Sequence, residues 1–431
     1  MIFLLTLPSD LELGEEWRLP ASQRRLHGKS PTLLCAVCSP WRTLALATPQ
    51  LWSRIFIHIP QGISKDIAFS KANHLLQWIQ RSGSLPLALY ISSEGFFGQA
   101  RSRVASIISV LQHHATRCKT LYLQKPSDNI LLEIFKSGQS LLQRQLRRRD
   151  IMSQENQLFS WVQLTHLQIR RPISSAQQAL VIFKACSKLV WLSINFKLPQ
   201  GPAYESHEPP VILHDLVSIF TRSESCCFSF VIGSISAPSL REMCVASTQT
   251  LPRDGKSLLH FLTRSSCALE RLELGGPFVS CDIIPLLSHR CCSLLTSLII
   301  RDFPALDRDF SPIVDDEILQ RLTLHRHDSL CPHLNLLGLR SILPSQQSAM
   351  QSMIESRICP QACPSLHDRL QYFHLQWVNI LQFDQKPLDE VFKRSEMAYS
   401  LHLDSCNGSA SGWPQGETYC QDVYCTGLRN W

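Results

Sequence analysis

One short pattern recurs along most of this chain. Two Leu-type residues stand three positions apart, and Leu, Ile or Val follows two positions later. The clearest copies are Leu164–Ile169, Leu189–Ile194, Leu240–Val245, Leu269–Leu274, Leu295–Ile300 and Leu334–Leu339, and weaker copies start at Cys118, Leu213 and Leu370. Alternate side chains of a strand share one face, so the fourth and sixth positions of each copy face the same core. The recurrence therefore predicts one short buried strand per copy.

The spacing between copies predicts how these strands are connected. From Leu164 to Leu295 successive copies start 24 to 29 residues apart, which is the period of leucine-rich repeats. Apolar residues at three- and four-residue steps predict helices at Ala179–Ala185, Ser257–Arg264 and Gln346–Arg357. The predicted fold class is α/β, an irregular leucine-rich-repeat solenoid with parallel strands and helices outside. One unit cannot bury its own apolar face, so neighbouring units must stack.

Several features indicate that the repeats are degenerate. The ninth motif position, usually Asn or Cys in regular repeats, holds Pro172, Lys197, Pro277, Phe303 and Ile342. We predict the repeats over residues 59–405, with an insertion near residues 138–157 and an irregular tail at residues 406–431. The insertion contains the basic run Arg144–Arg149, which is typical of a solvated loop, and we expect no nucleic-acid partner there.

Composition limits the class of protein. Hydrophobic residues make up 44% of the 431 residues and charged residues 18%, so a large core can form, and the net charge of +7 is mild. No uninterrupted apolar run reaches the ~18 residues of a membrane span. The 17 cysteines are an odd number in a long chain, whereas a secreted disulfide scaffold is usually short with an even set of cysteines. We expect a reduced protein of the cytoplasm, the nucleus or both, with no membrane partner.

The cysteines are interpreted as packing residues and not as metal ligands. Cys186, Cys292 and Cys331 each lie three residues before the first Leu of a copy, and Cys267 lies two before. A small apolar side chain suits the turn from helix to strand. The pair Cys35 and Cys38 fits half of a zinc or redox site, but no second pair follows at the required spacing. We predict no metal site.

The sequence offers no complete catalytic motif. Gly28-Lys29-Ser30 and Gly255-Lys256-Ser257 end like phosphate-binding loops, but the Gly required five residues earlier is Gln23 in one and Thr250 in the other. The chain contains neither Gly-x-Ser-x-Gly nor His-Glu-x-x-His. We therefore predict no catalytic residues, no enzymatic activity and no cofactor.

The segment before the repeats predicts a small helical module over residues 1–58. Ser39-Pro40 is typical of a helix start, and Thr48-Pro49 of a helix end. The apolar residues of this module are Leu34, Val37, Trp41, Leu44, Leu51 and Trp52. They are too few for a core of their own, so another surface must cover part of them.

These residues carry a family resemblance. Val37-Cys38-x-x-Trp41-Arg42-x-Leu44-Ala45, followed by Thr48-Pro49-x-Leu51-Trp52, resembles the second half of an F-box, specifically that of fungal (basidiomycete) F-box proteins with degenerate leucine-rich repeats. The stretch Trp78–Leu87 also resembles the first helix–strand unit of that family. Ile2–Asp10 resembles only the end of the opening F-box helix, so we expect the F-box to be incomplete at its start.

The resemblance implies a substrate-recognition subunit of a Skp–cullin–F-box ubiquitin ligase. The helical module would bind a Skp-type adaptor and, through it, a cullin, and the repeats would hold a protein substrate. The adaptor-binding residues implied are Leu34, Val37, Trp41, Leu44, Leu51 and Trp52. The alternative is a protein-binding repeat scaffold outside ubiquitin ligation, because the F-box is incomplete.

The residues between the Leu positions predict the substrate surface. The third, fifth and seventh positions of each copy face away from the core. The candidate substrate-binding residues are Arg170, Trp191, Arg271, Arg301, Arg340 and Tyr372. Arg170, Arg301 and Arg340 share the seventh position, and Arg binds carboxylates and phosphates through two parallel hydrogen bonds. This predicts a preference for an acidic or phosphorylated segment.

Overall fold

A computed structural model gives the fold. It describes residues 31–60, 62–93, 101–124, 134–135, 161–173, 176–196, 209–223, 228–247, 254–276, 278, 280–301, 314–324, 329–340, 347–358, 370–377 and 398–403. The described residues fall into two compact units, which divide between Ile134 and Phe135. The predicted insertion at residues 138–157, the opening residues 1–30 and the tail 406–431 lie outside the described residues.

The first unit starts with helices and continues with alternating strands and helices. Its elements are α1 (Pro31–Val37), α2 (Ser39–Leu46), a 3-10 turn (Pro49–Trp52), β1 (Arg54–Ile59), α3 (Lys65–Arg81), β2 (Leu87–Ser93), α4 (Arg101–His113), a second 3-10 turn (Ala115–Arg117) and β3 (Cys118–Gln124). The strands pair in parallel in the order β1, β2, β3.

Local sequence explains the ends of these helices. Pro40 lies in the first turn of α2, where a backbone N–H would have no acceptor within the helix, so its absence in proline costs no hydrogen bond. Ser64 caps α3, because its hydroxyl accepts a hydrogen bond from the backbone N–H of Ile67 at 3.3 Å. In β1, Ile55, Ile57 and Ile59 are buried and alternate with partly exposed residues, as one-sided packing of a strand requires.

The second unit repeats the strand–helix alternation. Its elements are β4 (His166–Ile173), α5 (Ala176–Ala185), β5 (Trp191–Phe196), β6 (Val211–Ile212), β7 (Ser218–Ser223), α6 (Phe228–Gly233), β8 (Ile235–Ser236), β9 (Glu242–Ser247), α7 (Asp254–Ser265), β10 (Arg271–Gly275), α8 (Ser280–Leu287), a 3-10 turn (Arg290–Cys292), β11 (Ser297–Arg301), α9 (Asp316–Leu322), β12 (Leu336–Arg340), α10 (Gln347–Ile358), β13 (Tyr372–Trp377) and β14 (Ala398–Leu403). The three helices predicted from spacing are α5, α7 and α10.

Parallel pairing runs through the second unit. The strands follow one another in the order β4, β5, β7, β9, β10, β11, β12, β13 and β14, and β6 pairs separately with β8. The register aligns the motif positions across neighbours, so that Leu192 pairs with Ile219 and Leu272 with Leu298. The predicted α/β class with a large parallel sheet and helices is confirmed.

One weak copy of the motif starts at a different residue in the structure from the one predicted. The copy predicted to start at Leu213 starts at Leu216, because Ser218 pairs with Trp191 on one side and Glu242 on the other. Its fourth and sixth positions are then Ile219 and Thr221, both buried. A Thr at the sixth position hides the copy from a search for apolar residues, and this shift brings Arg222 into the seventh position.

The cysteines at the turns into strands are buried, as the sequence predicts. Cys186, Cys267, Cys292 and Cys331 all have 4% or less of their surface exposed. Burial raises the pKa of the Cys267 and Cys331 thiols to about 12, because the charged thiolate would lose its hydration. These thiols stay protonated at neutral pH and act as small apolar packing residues.

Arginine side chains close the ends of α6 and α9 in the second unit. Arg357, which is fully buried, donates to the carbonyl oxygens of Leu322, Leu330 and Cys331 at 2.8–3.0 Å. Arg264, an exposed residue, donates to the carbonyl oxygen of Ile232 in α6 at 2.7 Å and to that of Ile235 in β8 at 2.7 and 3.2 Å. The last carbonyl groups of a helix have no partner within it, so an Arg from the next helix supplies the missing donors.

Candidate functional site

An exposed apolar surface lies on the first two helices. Leu33, Val37, Trp41 and Leu44 are 46%, 61%, 42% and 53% exposed, and we call these four residues the helical apolar surface. α1 and α2 pack against each other, and the Arg42 side chain donates to the carbonyl oxygen of Cys35 at 2.8 Å. Trp41 and Leu44 stand three residues apart in α2, so they share one face of that helix.

A buried cluster beneath these helices corrects part of the predicted adaptor site. Leu51 and Trp52 are completely buried and pack with Ala45, and Leu34 is half-buried against them. The Trp52 indole N–H donates to the carbonyl oxygen of Ala45 at 2.8 Å. A buried side chain cannot contact a partner, so Leu51 and Trp52 are core residues, while Val37, Trp41 and Leu44 remain candidates for binding.

Trp52 also connects the helices to the first strand–helix repeat. Its ring meets that of Trp78 in α3 edge to face, with centroids 5.3 Å apart, and the guanidinium carbon of Arg81 lies 4.5 Å from its centroid. Edge-to-face aromatic pairs and cations over an indole ring are both stabilising. The predicted boundary at residue 58 therefore lies inside one compact unit.

The strand surface of the second unit carries aromatic residues at its start. In register, His166, Trp191 and Ser218 occupy the third motif position of neighbouring strands. The Trp191 ring centroid lies 6.5 Å from that of His166 and 5.5 Å from that of Phe220. Trp191, a predicted substrate-binding residue, is partly exposed within this aromatic group.

Arg301 has a partner inside the protein. Its guanidinium nitrogen Nη2 lies 3.0 Å from the Glu273 carboxylate oxygen Oε1, and both residues are more than 90% buried. A buried, paired guanidinium has little charge to offer a ligand. The prediction that Arg301 binds an acidic substrate group is therefore corrected: sequence alone could not show that Glu273, on the neighbouring strand, neutralises it.

The other predicted substrate residues are separated along the strands. Arg271 pairs in register with Glu242 and Ser297, and Tyr372 with Leu336; both side chains are partly exposed. The backbone of Arg340 pairs with that of Gln376, and its side chain lies outside the described part. These residues do not form one compact site with Arg170 and Trp191.

A basic cluster at the carboxyl end of β4, β5 and β7 combines a predicted and a missed residue. Arg170 lies there, and the side-chain amide of Asn195 donates to its carbonyl oxygen at 3.3 Å. Asn195 pairs in register with Arg222, whose side chain is partly buried. The sequence analysis missed Arg222 because it started this copy of the motif at Leu213, three residues too early. The apolar pair Leu216 and Ile219 could have located the correct start.

The described residues show neither a metal centre nor a membrane-spanning element. No group of three or more His, Cys, Asp or Glu side chains among them could hold a metal ion. Within the same residues, no helix has the length and apolarity needed to cross a membrane. Two of the described surfaces are suited to binding, because one is apolar and the other is basic and lies beside aromatic rings.

Comparisons with known proteins add little. No protein-family model matches the chain. No curated protein matches it either. Among solved structures, a crystal structure of a Bacteroides fragilis protein is similar at 12% sequence identity and a TM-score of 0.34, covering 81% of this chain and 74% of that one. A likeness this weak carries no argument about function, so the function rests on the residues themselves.

Proposed function

We propose that this chain is the substrate-recognition subunit of a Skp–cullin–F-box type ubiquitin ligase. In this proposal the helices at residues 31–52 bind a Skp-type adaptor, and the strands of a degenerate leucine-rich-repeat solenoid bind a protein substrate. The observation that carries the proposal is the helical apolar surface, which stays exposed although Ala45, Leu51 and Trp52 of the same segment are completely buried.

The physical argument concerns the energy of exposed apolar side chains. Four large side chains at 42–61% exposure on two short helices leave apolar area in water that a partner could cover. Burial of such a side chain contributes ~1.5–3 kcal/mol. Trp is among the residues that dominate binding energy at interfaces. Trp41 is thus the strongest candidate anchor, and Val37 and Leu44 flank it in sequence.

In the proposed mechanism the chain provides no chemistry of its own. It holds a substrate and an adaptor at the same time, which raises the effective concentration of the substrate near a ubiquitin carrier to about millimolar. An adaptor interface of ordinary size would bury about 1,600 Å². Other subunits would then transfer ubiquitin to the tethered substrate.

The test is direct binding of a recombinant Skp-type adaptor to the full chain. We expect Leu44→Asp to weaken binding about tenfold or more, because it places a charge in a desolvated contact. The matched control is Leu294→Asp, since Leu294 is 54% exposed but lies in the second unit. This control should bind the adaptor like the wild type.

Thermal melting distinguishes loss of contact from loss of fold. Leu44 is exposed, so Leu44→Asp should leave the melting temperature within the range of the control variant. If the wild-type chain melts cooperatively yet fails to bind the adaptor, the proposal is wrong and the repeat scaffold outside ubiquitin ligation is favoured. Equal binding by Leu44→Asp and wild type would remove the helical apolar surface from the proposal.

A further inference from the structure

The carboxyl end of β4 is irregular, beginning at Arg170. Ile169 pairs with Ile194 and Ile173 pairs with Phe196, so four steps along β4 match two steps along β5. The two extra residues lie in the stretch Arg170-Arg171-Pro172. Bulges of this kind bend a strand and redirect its side chains, and they are frequent next to functional sites.

Three side chains line this end of the sheet. Arg170 follows Ile169, Asn195 follows Ile194, and Arg222 is the register partner of Asn195. The hydrogen bond from the Asn195 amide to the Arg170 carbonyl oxygen holds the irregular segment against β5. Neighbouring strands lie about 4.8 Å apart, so the backbones of Arg170 and Arg222 are roughly 10 Å apart.

Arg222 carries the strongest physical signal. Its Nε atom is buried and has no hydrogen-bond acceptor in the described part of the chain. A buried donor left without a partner costs about 1–3 kcal/mol, and more when the group is charged. The seventh motif positions of neighbouring strands lie side by side and form a row across the sheet. After Arg222 this row continues with Ala246, Gly275 and Arg301, and its described members include no carboxylate.

The buried ion pair of Arg301 shows the contrast. Arg301 occupies the same motif position as Arg222, and its guanidinium group pairs with the carboxylate of Glu273 on the adjacent strand. At Arg222 the corresponding neighbours are Asn195 and Ala246, which carry no charge. A described carboxylate thus lies beside Arg301, whereas the described register neighbours of Arg222 provide none.

Aromatic rings lie on the same face as Arg222. Phe220 stands two residues before Arg222 in β7, so both side chains point to the same side of the strand. Phe220 contacts Trp191 in β5, and both rings are partly exposed. Aromatic residues and Arg together are the usual composition of binding hot spots.

We propose that the carboxyl end of β4, β5 and β7 is a docking site for an acidic segment of a partner protein. The segment carries two carboxylates two residues apart, so that both side chains point to the same face of an extended chain, and an apolar or aromatic side chain for the Trp191–Phe220 group. Two residues of extended chain span roughly 7 Å, and the long arginine side chains can cover the rest of the distance between Arg170 and Arg222. A single phosphate group is too small to span that distance. The inference rests on the proposed function insofar as the partner is the ligase substrate.

The experiment measures binding of a labelled peptide to the full chain by fluorescence anisotropy. The probe contains Trp followed by two Asp residues two positions apart, and a matched peptide carries Asn at both Asp positions. We expect the Asp peptide to bind more tightly, and its affinity to fall with added salt. Arg222→Gln should weaken binding of the Asp peptide about tenfold, because it removes a charge-assisted contact.

The matched control is Arg241→Gln. Arg241 loses the same charge, but its side chain is 61% exposed and pairs with Glu270 away from the proposed site. This variant should change peptide affinity less than twofold. Arg170→Gln provides a second variant within the site, should Arg222→Gln lower the melting temperature.

Three outcomes would overturn the inference. Equal affinity of the Asp and Asn peptides would show that the site does not recognise the negative charges of the peptide. Equal losses in Arg222→Gln and Arg241→Gln would show that only net charge matters. Tighter binding of a single-stranded oligonucleotide, lost in Arg222→Gln, would assign the site to nucleic acid. Since the assay contains no adaptor, its result is independent of whether the helical apolar surface binds one.

Discussion

The hydroxyl group of Thr221 has an uncommon position for a polar atom. Thr221 is 4% exposed, it occupies a core-facing motif position in β7, and its Oγ1 has no hydrogen-bond partner among the described residues. Val has nearly the same shape, lacks the hydroxyl and is favoured in strands. At this residue the polar atom opposes folding.

We therefore expect Thr221→Val to leave the free energy of unfolding unchanged or to raise it by up to ~1 kcal/mol. The control is Ser82→Ala, because the buried Ser82 hydroxyl donates to the Ile79 carbonyl at 2.6 Å and accepts from Arg117 at 2.8 Å. That change should cost about 1–2 kcal/mol. Urea denaturation measures both, and a marked loss in Thr221→Val would contradict this view of the site.

Helix ends set the stability of individual elements in this protein. The carbonyl groups that end α9 and lead to β12 are closed by Arg357 from α10, which makes three hydrogen bonds. One of its acceptors, Cys331, has φ of 48°. This left-handed conformation costs a non-glycine residue about 1–2 kcal/mol, and the bond from Arg357 helps to hold it. The helix of one repeat thereby fixes the turn of the preceding one.

Removal of this arginine should be costly. We expect Arg357→Met to lower the free energy of unfolding by about 3–5 kcal/mol, because three carbonyl groups lose their donor. Arg357→Lys should recover only part of the loss, since an ammonium group lacks the planar fork of guanidinium. Arg290→Met is the control, because exposed Arg290 makes one side-chain hydrogen bond to a described residue, Ser266, at 2.9 Å. Similar losses in Arg357→Met and Arg290→Met would refute the role given to Arg357.

At the scale of the whole molecule, the two proposed binding surfaces lie in different compact units. The helical apolar surface is in the first unit, and the cluster of Arg170 and Arg222 is in the second. Changes at distant sites that share no partners usually have additive effects. Tethering as proposed requires that each surface works without the other.

We expect Leu44→Asp to weaken adaptor binding about tenfold or more while the acidic peptide binds as in wild type. Arg222→Gln should weaken peptide binding about tenfold while the adaptor binds as in wild type. The double variant should lose both by the same factors as the single variants. Parallel measurement of adaptor and peptide affinities in all four proteins checks this. Loss of both activities in either single variant, with an unchanged melting temperature, would indicate coupling between the surfaces.

Much of the fold follows from the sequence because the relevant signals are local. The pattern of Leu164–Ile169 and its equivalents locates the strands, and the spacing between copies leaves room for the helices found in most of the described connections. The turn cysteines follow for the same reason, since a small buried residue is needed at each passage into a strand. These statements depend only on residues a few positions apart.

The tertiary structure decided which side chains remain available for binding. Trp52 is buried partly by Trp78, and the charge of Arg301 is neutralised by Glu273. In both pairs the partner lies about one repeat away in the chain. The seventh position of Arg222 depends on the pairing of β7 with both of its neighbours. Such contacts join residues that are distant in sequence. They cannot be predicted from one sequence alone, because they depend on how the strands pair.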